Sequence, residues 1–301
     1  MGRRRKGARV DGVILLDKPV GISSNGALQR VRRAFGAAKA GHTGTLDPLA
    51  SGLLPITLGE ATKFSQHLLD ADKAYEARVV LGSVTDTGDR EGATIRSSDL
   101  RPTPDQVLDA CQAFVGEIQQ IPPMYSALKR DGRPLYDYAR AGIEVAREPR
   151  RVTIRHISVA GFTPDGFVMT VRCSKGTYIR TLAEDIGERL GCGAHLGDLR
   201  RTEIGAFALD RACSLAELEA ASPEGRHDWL LAPDALIDAM PVASLSDDEA
   251  DRILHGRAVA VGERFSVGPL RLYKDRRFLG VGQVDADGKL IPRRLLGSAP
   301  A

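Results

Sequence analysis

The chain has 301 residues, 43% hydrophobic and 27% charged, which is ordinary globular usage and excludes wholesale disorder; no repeat period or low-complexity tract stands out. No apolar run approaches membrane-span length, and behind the arginine-rich start only Val13 to Leu16 are apolar, too few for an export signal, so the cytoplasm and no membrane are expected. The net charge of +3 is unevenly spread: Arg3, Arg4, Arg5, Lys6 and Arg9 crowd the first nine positions, while Ser214 to Asp251 holds ten acidic residues against Arg226 alone, so the rest of the body is positive and a polyanionic partner is hinted at.

Gly12 to Leu16 reads as a short buried strand, followed by a turn at Lys18-Pro19-Val20-Gly21. Ser23 or Ser24 then caps a helix with Ala27, Leu28, Val31, Ala34 and Phe35 on one face and Arg30, Arg32, Arg33 and Lys39 exposed; Gly36 stops it. From Gly41 to Pro55 neither helical nor strand period holds, and the glycines and prolines there predict a long ordered loop, which in a compact domain is usually functional. A helix over Glu60 to Leu69 and a strand over Tyr75 to Leu81 are predicted next, then a helix opened by the capping box Thr103-Pro104-Asp105-Gln106.

Ile121 to Arg151 is loop-rich and basic and reads as an excursion from the core. Val152 to Phe162 and Phe167 to Cys173 alternate as strands around the hairpin turn Thr163-Pro164-Asp165-Gly166, so the pairing is antiparallel there. A helix over Tyr178 to Leu190, a glycine-rich strand region through Ala208 and a capped helix from Ser214 follow. Composition shifts around Ala239 to Ser246, and from Gly268 the chain breaks into short strands, a small β-rich module expected to dock on the larger domain. The expected division is a basic arm over 1–10, a main domain over 11–238 with its excursion over 121–151, and a module over 239–301.

Within Gly41-His42-Thr43-Gly44-Thr45-Leu46-Asp47-Pro48, glycines permit unusual backbone and Pro48 biases Asp47 toward an extended geometry. A carboxylate projected this way can serve as nucleophile or base, although Asp-Pro alone also reads as a turn. Asp86 and Asp89 miss calcium-loop spacing and read as a polar turn. Cys192 and His195 form a C-x-x-H with no second ligand pair, so no metal is expected; the four cysteines fit reduced thiols.

Five segments, matched in content and order, resemble the TruB family of tRNA pseudouridine synthases. They are Lys18-Pro19-Val20-Gly21-Ile22-Ser23-Ser24; Gly41 to Leu54; Lys73-Ala74-Tyr75 with Thr85-Asp86-Thr87; Ile121-Pro122-Pro123-Met124-Tyr125-Ser126-Ala127-Leu128-Lys129; and Cys173-Ser174-Lys175-Gly176-Thr177-Tyr178-Ile179-Arg180-Thr181-Leu182. Ser51 departs from the Thr of many relatives but keeps the hydroxyl. The C-terminal module is similar to the PUA-like RNA-binding domain of these enzymes.

The resemblance implies an α/β (α+β) fold with a large, mixed, mainly antiparallel sheet and a small β-barrel-like end module. It implies isomerisation of uridine 55 in the T loop of tRNA, without cofactor, metal or guide RNA, by a protein acting as a monomer. Asp47 is then the catalytic carboxylate, Arg180 its ion-pair partner, and Tyr75 a stacking partner or base. Leu199 packs over the uracil, Tyr178 is a substrate-binding residue, His42 braces the gap left by the flipped base, Lys18 and Pro19 line the pocket floor, and Lys129 and Arg130 clamp phosphates. Two other readings are a tRNA-binding or tRNA-folding factor in which catalysis is secondary, and a metal-dependent hydrolase built on His42, Asp47, Asp86 and Asp89.

Overall fold

The computed structural model describes residues 7–297, so Arg3, Arg4, Arg5 and Lys6 of the basic arm lie outside the described residues. Strand β1 (Gly12–Lys18) sends Ile14 and Leu16 to one face of the main sheet and Val13 and Leu15 to the other, as the two-residue period requires. Helix α1 (Ser24–Ala34) is capped by Ser23, whose side chain accepts from the Gly26 N–H, and buries Ala27, Leu28 and Val31.

The expected loop is shorter than its glycines suggested. Ala40–His42 (β2) and Ser51–Leu58 (β3) pair antiparallel, leaving 43–50 as the true loop. Gly52, at φ 101°, is not a loop residue; a Cβ there would lie 2.3 Å from the Arg201 carbonyl oxygen, so glycine is what lets two strands approach. The helix expected from Glu60 is a 3₁₀ segment over Gly59–Phe64 followed by α2 (Ser65–Leu69), since the Thr62 hydroxyl donates to the Gly59 carbonyl and the Ser65 and Thr57 hydroxyls bond each other.

Strands β4 (Lys73–Leu81), β5 (Ser83–Thr85) and β6 (Thr94–Ser97) lead to α3 (Pro104–Gln112), whose Thr103–Gln106 capping box forms as expected. After β7 (Gly116–Gln120), the excursion contains a small hairpin, β8 (Lys129–Arg130) with β9 (Arg133–Pro134), and α4 (Leu135–Arg140). It ends earlier than expected, because Arg150 and Arg151 already pair with β7 at the start of β10 (Arg150–Thr163). Next come β11 (Gly166–Cys173), α5 (Ile179–Leu190), β12 (Ala194–Ile204), β13 (Phe207–Ala208), β14 (Cys213–Ser214) and α6 (Leu215–Ala220).

The main sheet runs β14-β1-β3-β12-β4-β11-β10-β7, with β2 on β3 and β13 on β12. The β1·β14 and β3·β12 pairs are parallel and the rest antiparallel, the mixed, mainly antiparallel α/β sheet expected. Helices α1, α3, α5 and α6 cover one face, and their buried apolar residues join Ile14, Ile56, Val79, Ile157 and Met169 in one core.

The other face packs against Phe64, Leu68, Leu236 and Ile237, and the C-terminal part joins that cluster through Phe278 and Val281. It holds β15 (Val242–Ser244), α7 (Asp247–Leu254), β16 (Val259–Ala260), β17 (Gly268–Lys274), β18 (Arg277–Val284) and β19 (Lys289–Leu295), with sheet order β15-β17-β18-β19-β16 curled into a half-barrel. It has its own core around Leu272, Ile253 and Leu290. Phe278 meets Phe64 of the main domain with ring centroids 5.6 Å apart and planes tilted by 56°, and buried Asp234 accepts from Arg271 at 2.9 Å and from the Tyr273 hydroxyl at 2.5 Å, so the two parts are docked rather than strung together. Among the described residues no helix is long and apolar enough to cross a membrane.

Candidate active site

Four buried groups hold the loop over 43–50 against the main domain. Leu46, Leu49 and Ala50 are buried, and the Ser24 hydroxyl accepts from the Leu46 N–H at 2.7 Å while donating to the Leu46 carbonyl at 2.9 Å. The Gly21 N–H donates to the Pro48 carbonyl at 2.8 Å, with Gly21 at φ 88°, a conformation glycine supplies without strain. The segment Lys18 to Ser24 thus frames the loop, and between the anchors at 46 and 48 the Asp47 side chain is left 41% exposed.

Asp47 stands where two cavities meet. One, about 430 Å³, is lined by Lys73, Tyr75, Tyr178, Leu199 and Arg201; the other, about 630 Å³, by Asn25, His42, Glu91, Tyr136 and Arg140; Asp47 and Arg180 border both. Both sizes lie in the range of ordinary small-molecule pockets.

Arg180 comes from the first turn of α5 and is 5% exposed. One terminal nitrogen lies 2.9 Å from the Asp47 carboxylate and donates to the Tyr125 carbonyl at 2.5 Å; the other donates to the Thr87 carbonyl at 3.1 Å and lies 3.5 Å from Asp89. A guanidinium so fully engaged holds one orientation, and it fixes Asp47 in turn. Asp89 was expected to be a turn residue, yet it is a buried second carboxylate on Arg180, steadied by the Thr87 hydroxyl at 2.7 Å. Asp86 does make the expected turn, accepting from the Ala93 N–H. One turn further along α5, burial together with Asp185 pushes the Glu184 carboxyl up to about 6.

In the smaller cavity Tyr75 is 8% exposed, and burial pushes its phenol up against the opposing pull of Arg201. Tyr178 caps α5 and is held by Gln120, whose amide accepts from the Tyr178 N–H at 3.0 Å and donates to its carbonyl at 3.2 Å; Arg150 lies over the ring at 4.6 Å. Tyr75, Tyr178 and Leu199 therefore share one cavity with Asp47.

His42 lines the larger cavity instead, across the Asp47 loop; its Nδ1 is buried without a partner, and burial, then Arg201, push its pKa below the usual value. Lys18 and Pro19 line neither cavity. Pro19 is exposed, and Lys18 is fully buried, its ammonium donating to the Pro19 and Ile22 carbonyls; burial pulls it down to about 8, with Asp47 resisting. Lys129 and Arg130 sit on the exposed β8–β9 hairpin of the excursion, outside both cavities.

Sequence reading missed Arg201, which is 1% exposed and lines the smaller cavity. The signal was present: on a strand Leu199 and Arg201 fall on one face, two residues apart. The metal-hydrolase arrangement is not built, because a guanidinium separates Asp47 from Asp89, and among the described residues no group of three or more His, Cys, Asp and Glu could hold a metal ion. His195, of the C-x-x-H, has its Nδ1 against Ser83, at 3.2 Å from the hydroxyl and 3.1 Å from the carbonyl.

The N-terminal domain of TruB family pseudouridylate synthases matches residues 32–179, the C-terminal domain of tRNA pseudouridylate synthase B matches 180–239, and the C-terminal region of pseudouridine synthase II TruB matches 241–296. The chain belongs to the TruB family. Relatives named tRNA pseudouridine synthase B are 58% identical over 290 residues in Azoarcus sp. (96% of each chain) and 56% over 289 residues in Aromatoleum aromaticum (96% of this chain, 94% of that one). With these relatives across nearly the whole length, the protein is a pseudouridine synthase, an RNA-modifying isomerase. Among solved structures, a Cbf5-Nop10-Gar1 complex matches with TM-score 0.69 at 26% identity over 95% of this chain and 85% of that one. An H/ACA RNP bound to a substrate RNA matches with TM-score 0.70 at 22% identity, over 99% of this chain and 92% of that one, a likeness of fold.

Proposed function

We propose that the protein converts uridine 55 in the T loop of tRNA to pseudouridine, with Asp47 as the carboxylate that acts on the target nucleoside. The observation that supports this most is the position of Asp47: pinned on both sides by backbone anchors, paired with a buried arginine, and open to a cavity whose walls are Tyr75, Tyr178 and Leu199. A uridine buried in a folded loop reaches such a carboxylate only after being flipped out. Leu199 and Tyr75 then sandwich or flank the flat ring, and His42, in the neighbouring cavity, braces the space outside.

The reaction breaks the bond from N1 to the ribose, turns the uracil, joins carbon 5 to the ribose and releases the proton of carbon 5 while N1 takes one up. Atoms and electrons balance without a co-reactant, so neither cofactor nor metal is called for. Detachment leaves negative charge on the uracil, and Arg180, Arg201 and Lys73 around the cavity supply the positive potential that stabilises it. The exposed Lys129 and Arg130 hold phosphates of the T arm, and the C-terminal module, residues 239–301 behind the main domain of 11–238, adds RNA contact. On this reading the protein works as a monomer in the cytoplasm without a guide RNA, and it also assists tRNA folding.

The test is tritium release from unmodified tRNA labelled at carbon 5 of its uridines. One equivalent per tRNA is expected, and none from a transcript with cytidine at position 55. Release that survives that replacement would place the target elsewhere.

A further inference from the structure

Arg201 lies in the centre of the main sheet, on β12, paired with Gly52 of β3 on one side and Tyr75 of β4 on the other. It is among the largest fully buried side chains, and among the described residues it takes part in no ion pair. Burying a charge without a carboxylate costs stability that an apolar side chain of similar volume would not, so the charge calls for a reason outside folding. Its bonds supply one. The Nε–H donates to the Leu53 carbonyl at 2.7 Å and a terminal nitrogen donates to the Gly44 carbonyl at 3.3 Å, so one rigid fork ties the Asp47 loop, three residues before the carboxylate, to β3. The same guanidinium borders the smaller cavity beside Tyr75, its neighbour across the β12–β4 pairing, and its charge pulls the Tyr75 phenol against the effect of burial.

We propose that Arg201 is a positioning residue for the isomerisation: its buried guanidinium spans the Asp47 loop, β3 and Tyr75 and fixes the distance between the carboxylate and the phenol on either side of the bound uracil. The register of β12 on β4 is regular from Leu199 to Arg201 and shifts only after it, so Arg201 shares the cavity-facing side of the strand with Leu199. Lysine cannot replace it, because a single ammonium does not hold two carbonyls on separate segments as the planar fork does. The inference rests on the proposed reaction.

The experiment compares wild type, Asp47→Asn, Arg201→Lys and Arg201→Gln in single-turnover pseudouridine formation on unmodified tRNA, with tRNA affinity and thermal melting measured on the same preparations. The expected result is a rate at saturating tRNA that falls roughly 100-fold in Arg201→Gln and at least about 10-fold in Arg201→Lys, with tRNA affinity within about 2-fold of wild type. Arg201→Lys keeps charge and bulk, so it remains informative should the glutamine variant melt below the assay temperature. A folded Arg201→Lys with wild-type rate overturns the proposal, and so does a loss of rate matched by an equal loss of affinity, which marks a purely structural role. If wild type itself forms no pseudouridine, the proposed function fails first; an active wild type and an inactive Asp47→Asn beside an unimpaired Arg201→Lys sink this inference alone.

Discussion

Two segments border the cavities at Asp47, and they are built in opposite ways. The loop over 43–50 is short, its apolar side chains are buried, and its backbone is tied to Ser24, Gly21 and Arg201. The excursion over 121–149 reaches the same cavities through Tyr125, Ser126, Ala127, Leu128, Tyr136 and Arg140, but most of its surface is exposed and many of its bonds are internal: Leu135 N–H to the Leu128 carbonyl, Tyr136 N–H to the Ser126 carbonyl, Arg130 to the Ala146 carbonyl. A group that must meet a reacting atom needs a preorganised position, whereas a segment that must grip a folded polyanion can adapt. Chemistry and grip should therefore separate on mutation.

The sharpest separation is Asp47→Asn, which keeps shape and removes the charge: we expect the rate to fall at least about 1,000-fold while tRNA affinity stays within a few-fold, read by product formation and filter binding on one sample. Arg180→Met comes next. It leaves Asp47 and Asp89 without their shared cation, and roughly a 100-fold loss of rate together with a lowered melting temperature is expected; rate loss without any change in melting would contradict the burial of that network. Ser24→Ala removes both bonds to Leu46 and should cost about 1–3 kcal/mol of stability and about 10-fold in rate, while leaving affinity alone.

The excursion gives the opposite pattern. Lys129→Ala with Arg130→Ala should weaken tRNA binding and lower the salt dependence of the binding constant by about one unit per residue, with the saturated rate within about 2-fold of wild type. The smallest effect concerns Glu184. Its carboxyl is raised to about 6 by burial first, so its contribution is fully present below its unfolded value near 4.5 and is lost as pH rises through 6. Glu184→Gln should therefore melt higher relative to wild type at pH 7 than at pH 4.5, and a constant difference would show that the raised value is wrong.

Much of this was legible in the sequence. The cap at Ser23, the box at Thr103, the hairpin at Thr163 to Gly166 and the paired Asp47 and Arg180 follow from local chemistry or from motif content. What was not legible depends on tertiary approach. Gly52 looked like a loop glycine because its reason, the Arg201 carbonyl, lies 149 residues away. In sequence Asp89 reads as a turn residue because its partner is on α5, and Lys18 reads as pocket floor, whereas its ammonium is turned inward to two carbonyls. The helix α7 and strand β15, which open the C-terminal module, were passed over because the acidic connector hid the period of Ala250 and Ile253.

The most direct measurement is chemical mapping of pseudouridine along unmodified tRNA after incubation with wild type and with Asp47→Asn, with no metal or nucleotide added. Pseudouridine at position 55 with wild type and none with Asp47→Asn is the predicted result. Equal product from both proteins, or none from a folded wild type that binds the tRNA, would contradict the role assigned to Asp47.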